Sequence, residues 1–155
     1  MRSKNASAMR AMGASFATTT SADVPLIGEA VQVELIEWND PFDATTTDLT
    51  FDDLNVVADV FYDYTDSLQG EFVTVNFDEP VELFDDQKYL TCVTVFVDDH
   101  FIITDATMDY TGSDLAYPLD VFFPLEDVDG GTWFAGGFGS ENVPAIITEL
   151  DPLVC

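Results

Sequence analysis

Positive charge is nearly missing from this chain: 4 Lys and Arg stand against 30 Asp and Glu in 155 residues, a formal net charge of −26. Sequence-independent binding to nucleic acid or to an anionic membrane needs a cationic face that displaces counterions, so both partners are disfavoured. Histidine occurs once and cysteine twice, too few to complete a four-ligand transition-metal site. No apolar stretch approaches the roughly 18 residues of a membrane-spanning helix. The N-terminus is basic, but Ser, Ala, Met, Gly and Thr stand where a signal peptide would have its apolar segment. Amphipathic helical spacing of useful length is also lacking, which removes the helical classes of fold.

Hydrophobic residues make up 47% and aromatics 13%, enough to build one folded core in a chain of 17.1 kDa. A monomer of this mass exposes roughly 7,800 Å², so its carboxylates stand about 16 Å apart on average. That is about twice the Debye length at physiological salt, and the mean repulsion is tolerable. Local pairs are less comfortable: Asp52-Asp53, Asp78-Glu79, Asp85-Asp86, Asp98-Asp99 and Glu126-Asp127 with Asp129. The cations are segregated. Arg2, Lys4 and Arg10 lie in the first ten residues, and Lys88 alone faces all the carboxylates, none of which precedes Asp23.

Period-2 alternation dominates from Ser15 onward. Val31, Val33 and Leu35 alternate with Gln32, Glu34 and Ile36, ending at the Asn39-Asp40-Pro41 turn. Ala58, Val60, Tyr62 and Tyr64 alternate with Asp59, Phe61 and Asp63, and Phe72 to Phe77 behaves likewise up to Asp78-Glu79-Pro80. Tyr89 to Val97 is almost continuously apolar, as for a central strand covered on both faces, with Cys92 inside it as a small hydrophobe. The turn Asp98-Asp99-His100 then predicts a hairpin to Phe101–Thr104. Further strands are predicted over 119–123, 132–138 and 144–150, with Gly136 and Gly137 marking a bulge. About eight short strands without helices predict an all-β fold, an antiparallel β-sandwich of jelly-roll or Greek-key type. Residues 1–14 read as a basic N-terminal arm and 15–155 as the acidic sandwich domain.

The stretch Val33-Glu-Leu-Ile-Glu-Trp-Asn-Asp40 resembles the strand and turn "V-E-[LIV]-[YF]-E-W-N-D" of jelly-roll-like modules in Bacteroidota surface proteins exported by the type IX secretion system. Three later segments are similar to the same module in the same order: Glu82 to Leu90, Met108-Asp-Tyr-Thr111, and Trp133 to Gly139. The resemblance spans roughly residues 15 to 150. It implies an extracellular or cell-surface β-sandwich with no catalytic residues to carry over. The sorting signals of that family, a signal peptide and a C-terminal secretion domain, are not in this sequence, so the chain is expected to be a trimmed fragment or a module of a longer protein. Asp66-Ser67-Leu68 looks like the acceptor of Bacteroidota O-glycosylation, at Ser67.

No enzyme is predicted. Gly137-Phe-Gly-Ser140 has the wrong order for a nucleophile elbow. His100, the only histidine, is expected as an exposed turn residue with no partner. No cofactor is required. Calcium is the inorganic ion the loops could hold, through Asn39, Asp40 and Asp43 and through Asp127 and Asp129, which offer hard oxygens on turns. The expected role is a non-enzymatic structural or adhesive module that self-associates or meets neighbouring domains. In it, Arg2, Lys4 and Arg10 of the arm face carboxylates of another copy. The alternative is a carbohydrate-binding module using Trp38, Tyr62, Tyr64, Tyr110, Tyr117 or Trp133, with glycans as partners.

Overall fold

A computed structural model describes residues 6–38, 54–85, 87–105, 125–127, 132–134 and 143–152. Among the described residues there is no helix. The strands are β1 (Ala6–Thr20), β2 (Ala30–Trp38), β3 (Leu54–Asp63), β4 (Phe72–Phe84), β5 (Lys88–Val95), β6 (His100–Ile102), β7 (Thr104–Asp105), β8 (Leu125–Asp127), β9 (Thr132–Phe134), β10 (Val143–Pro144) and β11 (Ile146–Pro152). Two antiparallel sheets form the sandwich. One has the order β11-β1-β4, with β6 also paired to β1; the other is β3-β2-β5.

The alternation read from β2 and β3 orients them as expected. Val31, Val33 and Leu35 are buried, and Ala58, Val60 and Tyr62 pack on the same core, while Asp59, Phe61 and Asp63 are exposed. From the facing sheet, Ala14 and Phe16 of β1 and Val73, Val75 and Phe77 of β4 close the core. Each fully buried Val, Leu or Phe contributes about 1.5–3 kcal/mol, so these few positions carry most of the apolar driving force.

β1 departs most from expectation. The strand runs straight through the boundary drawn at residue 15, and its residues 6–14 are no arm. Met9 to Phe16 pair with β11 on one side, and Ala6 to Ala17 pair with β4 on the other. Small side chains that suggest an extended tail on propensity suit a strand pressed between neighbours and a facing sheet, where Ala11 and Ala14 are fully buried. Arg10, assigned to contact another copy, reaches Asp151 of its own chain with Nη2–Oδ2 at 2.6 Å. Arg2 and Lys4 lie outside the described residues.

Two further expectations change. β5 pairs, among the described residues, with β2 alone, and its side chains are half-buried apart from the exposed Lys88, so among the described strands it stands at the edge of its sheet. Phe101 to Thr104 does not fold back on β5 as a hairpin. Instead Asp98 and Asp99 form an exposed corner that hands the chain to the opposite sheet, where β6 pairs with Thr18, Thr19 and Thr20 of β1. A short ring of backbone hydrogen bonds marks the point where β1 changes partner from β11 to β6. Ala17 N donates to Ala145 O (3.1 Å), Ala145 N to Ile103 O (2.7 Å), and Ile103 N to Ala17 O (3.0 Å).

Candidate functional site

The corner between β5 and β6 decides where His100 goes. As the first residue of β6 it lies opposite Thr20, on the same side of the strand as Thr18, and both His100 and Thr18 face the core. His100 is 2% exposed, which corrects its expected place in an exposed turn. Its ring meets Tyr64 edge to face, with centroids 5.7 Å apart, and Tyr64 meets Tyr62 in the same manner at 5.0 Å. Tyr64 is therefore a core residue, and the carbohydrate-facing role considered for it is withdrawn. Its hydroxyl shares a 2.6 Å hydrogen bond with Thr18 Oγ1. Burial raises the Tyr64 phenol pKa, the Thr18 hydrogen bond lowers it in part, and Tyr62 raises it again.

This buried hydroxyl pair makes a sharp prediction. Tyr64→Phe or Thr18→Val alone strands the other hydroxyl and is expected to cost about 1–3 kcal/mol in urea denaturation, whereas the double variant recovers most of the loss. Additive losses in the double variant would mean that the hydroxyls do not act as a pair.

The outward face of the β11-β1-β4 sheet is a second candidate. Ser15, Ala17 and Thr19 alternate with the core-facing residues of β1. Beside them in register stand Ile147 and Thr74, then Phe72, then Phe101. Phe72, Ile147 and Phe101 are 57%, 52% and 45% exposed, and between them Ala17 is almost completely covered. Three large apolar side chains thus flank a small central residue on the outward sheet face. Ser15 ties three strands together on this face: its hydroxyl donates to Glu149 Oε1 at 2.5 Å and shares a 2.7 Å hydrogen bond with Thr74.

The outward face of β3-β2-β5 combines apolar and anionic groups. Exposed Phe61 and Phe96 stack with centroids 6.1 Å apart. Glu34 lies in register with Asp59 across the β2–β3 pair, and burial, followed by the Asp59 charge, raises its pKa. A carboxylate with a raised folded-state pKa destabilises the fold at neutral pH, and the penalty fades as pH falls through that value. Glu34→Gln is accordingly expected to stabilise the protein at pH 7, with the gain shrinking toward pH 4. A gain that does not vary with pH would assign the effect to packing.

The remaining predicted sites are only partly described. Asn39, Asp40, Asp43 and Asp129 of the calcium loops lie outside the described residues, and Asp127 closes β8 opposite Thr132. Among the described residues no three of His, Cys, Asp and Glu are grouped to hold a metal ion. Ser67 is exposed in the β3–β4 connection, where Leu68 N donates to Asp66 O. Trp38 ends β2 and Trp133 lies in β9, while Tyr110, Tyr117, Gly136 and Gly137 fall outside the described residues. No helix among the described residues is long and apolar enough to cross a membrane. No family model, curated protein or solved structure matches this chain.

Proposed function

We propose that this chain is a non-enzymatic structural or adhesive module of an extracellular bacterial assembly, and that it works by laying a sheet face against further copies of itself. The observation that carries the reading is the Phe72–Phe101–Ile147 surface on β4, β6 and β11. Large apolar side chains gathered on one face favour association once water is excluded between two such faces. The strand-exchange route through residues 1–14 is set aside, because the described part of that segment is built into its own sheet. The extracellular location rests on the likeness of Val33–Asp40 and the three later segments to Bacteroidota surface modules.

Self-association has to overcome repulsion between copies that each carry a net charge of −26. Screening shortens that repulsion, so added salt should promote assembly where an ion-paired interface would be weakened by it. Sedimentation velocity at about 0.05 M and about 0.5 M salt is expected to show oligomers that grow with salt and disappear in Phe72→Ser/Ile147→Ser. A chain that stays monomeric at every salt and protein concentration would overturn the proposal. A monomer retained by an immobilised polysaccharide would favour carbohydrate binding in its place.

A further inference from the structure

The only histidine of the chain is buried with no polar partner among the described residues, on the shortest strand that pairs with β1. No described residue offers either ring nitrogen of His100 a hydrogen bond. The hydroxyl of Tyr64, whose ring meets the imidazole edge to face, is already engaged with Thr18, and the Thr20 hydroxyl donates to Val24 O. A neutral imidazole can occupy such a place at moderate cost, because only its N–H and one lone pair go unsatisfied. An imidazolium there is a buried, uncompensated charge, which costs several kcal/mol by the general rule for such groups.

The charged and titratable surroundings offer little relief. On β1 the facing residues, Thr18 and Thr20, are not ionisable. Tyr64, just beyond β3, has its phenol pKa raised by burial and carries no charge in the acid range. Asp98 and Asp99 in the preceding corner are exposed to solvent. Burial lowers the imidazole pKa, and among the described residues Glu29, ahead of β2, opposes it in part.

The least costly escape runs through β6 itself. It is three residues long, pairs with β1 through Thr18, Thr19 and Thr20, and adjoins the exposed 96–99 corner, so it can leave without disturbing either longer sheet path. We propose that His100 is a proton-operated latch: on acidification its ring leaves the core, β6 releases the Thr18–Thr20 edge of β1, and backbone hydrogen-bonding groups of that strand are freed.

The sign follows from linkage. An imidazole harder to protonate in the folded than in the unfolded chain leaves stability intact above the unfolded value near 6.5. That stability is lost progressively as pH falls below it. Glu34 beside Asp59 acts in the opposite direction, so global stability is a poor readout and local opening is the right one.

Because the chain has one histidine, its imidazole proton resonances can be titrated without assignment ambiguity. The amides of Ile103, which donates to Ala17 O, and of Ser21, which donates to Asp99 O at 2.9 Å, report release of the β6 segment. Hydrogen exchange corrected for intrinsic rates is expected to rise at least about tenfold at these two amides between pH 7.5 and pH 5. The amides of β2 should not change, and His100→Phe should abolish the rise. Equal protection at both pH values would overturn the latch, as would a rise that persists in His100→Phe. Should that variant fail to fold, His100→Leu serves the same comparison. In the unmodified chain, an imidazole titrating near 6.5 with protection at Ile103 unchanged refutes the proposal by itself. Because Phe101 of β6 belongs to the proposed association surface, the exchange is also measured in Phe72→Ser/Ile147→Ser, where that association is removed; a rise that persists there separates the latch from assembly.

Discussion

Gly13→Ala is expected to abolish cooperative folding. At this position β1 and β4 fall out of step: Ala11 pairs with Val81 but Gly13 with Asn76, so residues 77–80 bulge opposite Met12 alone. The backbone there turns so that a side chain at residue 13 would point along the sheet into its neighbour. A Cβ would overlap the Val75 carbonyl oxygen and stand 2.7 Å from Asn76 Cα. Both obstacles are main chain held in register by the ladder, and no rotamer change can relieve them. Overpacking of this kind costs upward of about 3 kcal/mol, a large share of the ~5–15 kcal/mol that holds a typical domain together. Gly28 is the control. It has φ of +93° but open space around it, so Gly28→Ala should lose only about 1 kcal/mol, the cost of the backbone conformation. Near-UV circular dichroism and urea denaturation check both, and a Gly13→Ala chain unfolding with the midpoint of the parent would show that the strands can part there.

Removal of residues 1–14 is the second large effect, and it is expected to unfold the sandwich instead of trimming it. The deletion takes away the middle of a three-strand path: Met9 to Ala14 lie between Pro152–Thr148 on one side and Glu82–Val75 on the other. It also removes Ala11 and Ala14 from the core and leaves Asp151 without Arg10. Two strands would be left facing a gap across which they cannot pair. The measurement is a thermal melt followed by far-UV and near-UV signals together. The expected result is loss of the near-UV spectrum and no sigmoidal transition. A truncated chain that melts cooperatively within a few degrees of the intact one would restore residues 1–14 to the status of a detachable arm.

How far the fold was legible depended on whether a strand's environment is written into its own residues. β2 and β3 are amphipathic in the plain sense, with Val31, Val33 and Leu35 on one side and Asp59, Phe61 and Asp63 turned outward, and their alternation is enough to orient them. β1 is buried by its surroundings on both edges and one face, and Ala, Ser and Gly carry no hydrophobic period strong enough to announce it. The apolar run of β5 suggested a central position, yet apolar composition measures how much a strand can bury and says nothing of how many partners it has. The β5–β6 corner reads as a hairpin in the sequence because Asp98-Asp99 is a turn in either topology. Which sheet receives β6 is settled by pairing with Thr18–Thr20, eighty or more residues upstream in the chain. That one ambiguity also hid His100, since a hairpin turn would have left it in water. The Phe72–Phe101–Ile147 surface was invisible for the same reason: its members come from three strands and meet only in the assembled sheet.

The pairing of β1 with β11 has a consequence for biosynthesis. Arg10 and Asp151 are 141 positions apart, so the strand that organises one whole layer emerges from the ribosome long before the neighbour that completes it. Until translation reaches β11, one edge of β1 is open to any other nascent chain. Topologies closed by such distant contacts fold slowly and expose adhesive edges meanwhile. Holdase chaperones that mask a waiting strand should raise the yield of this protein more than additives that only strengthen apolar burial.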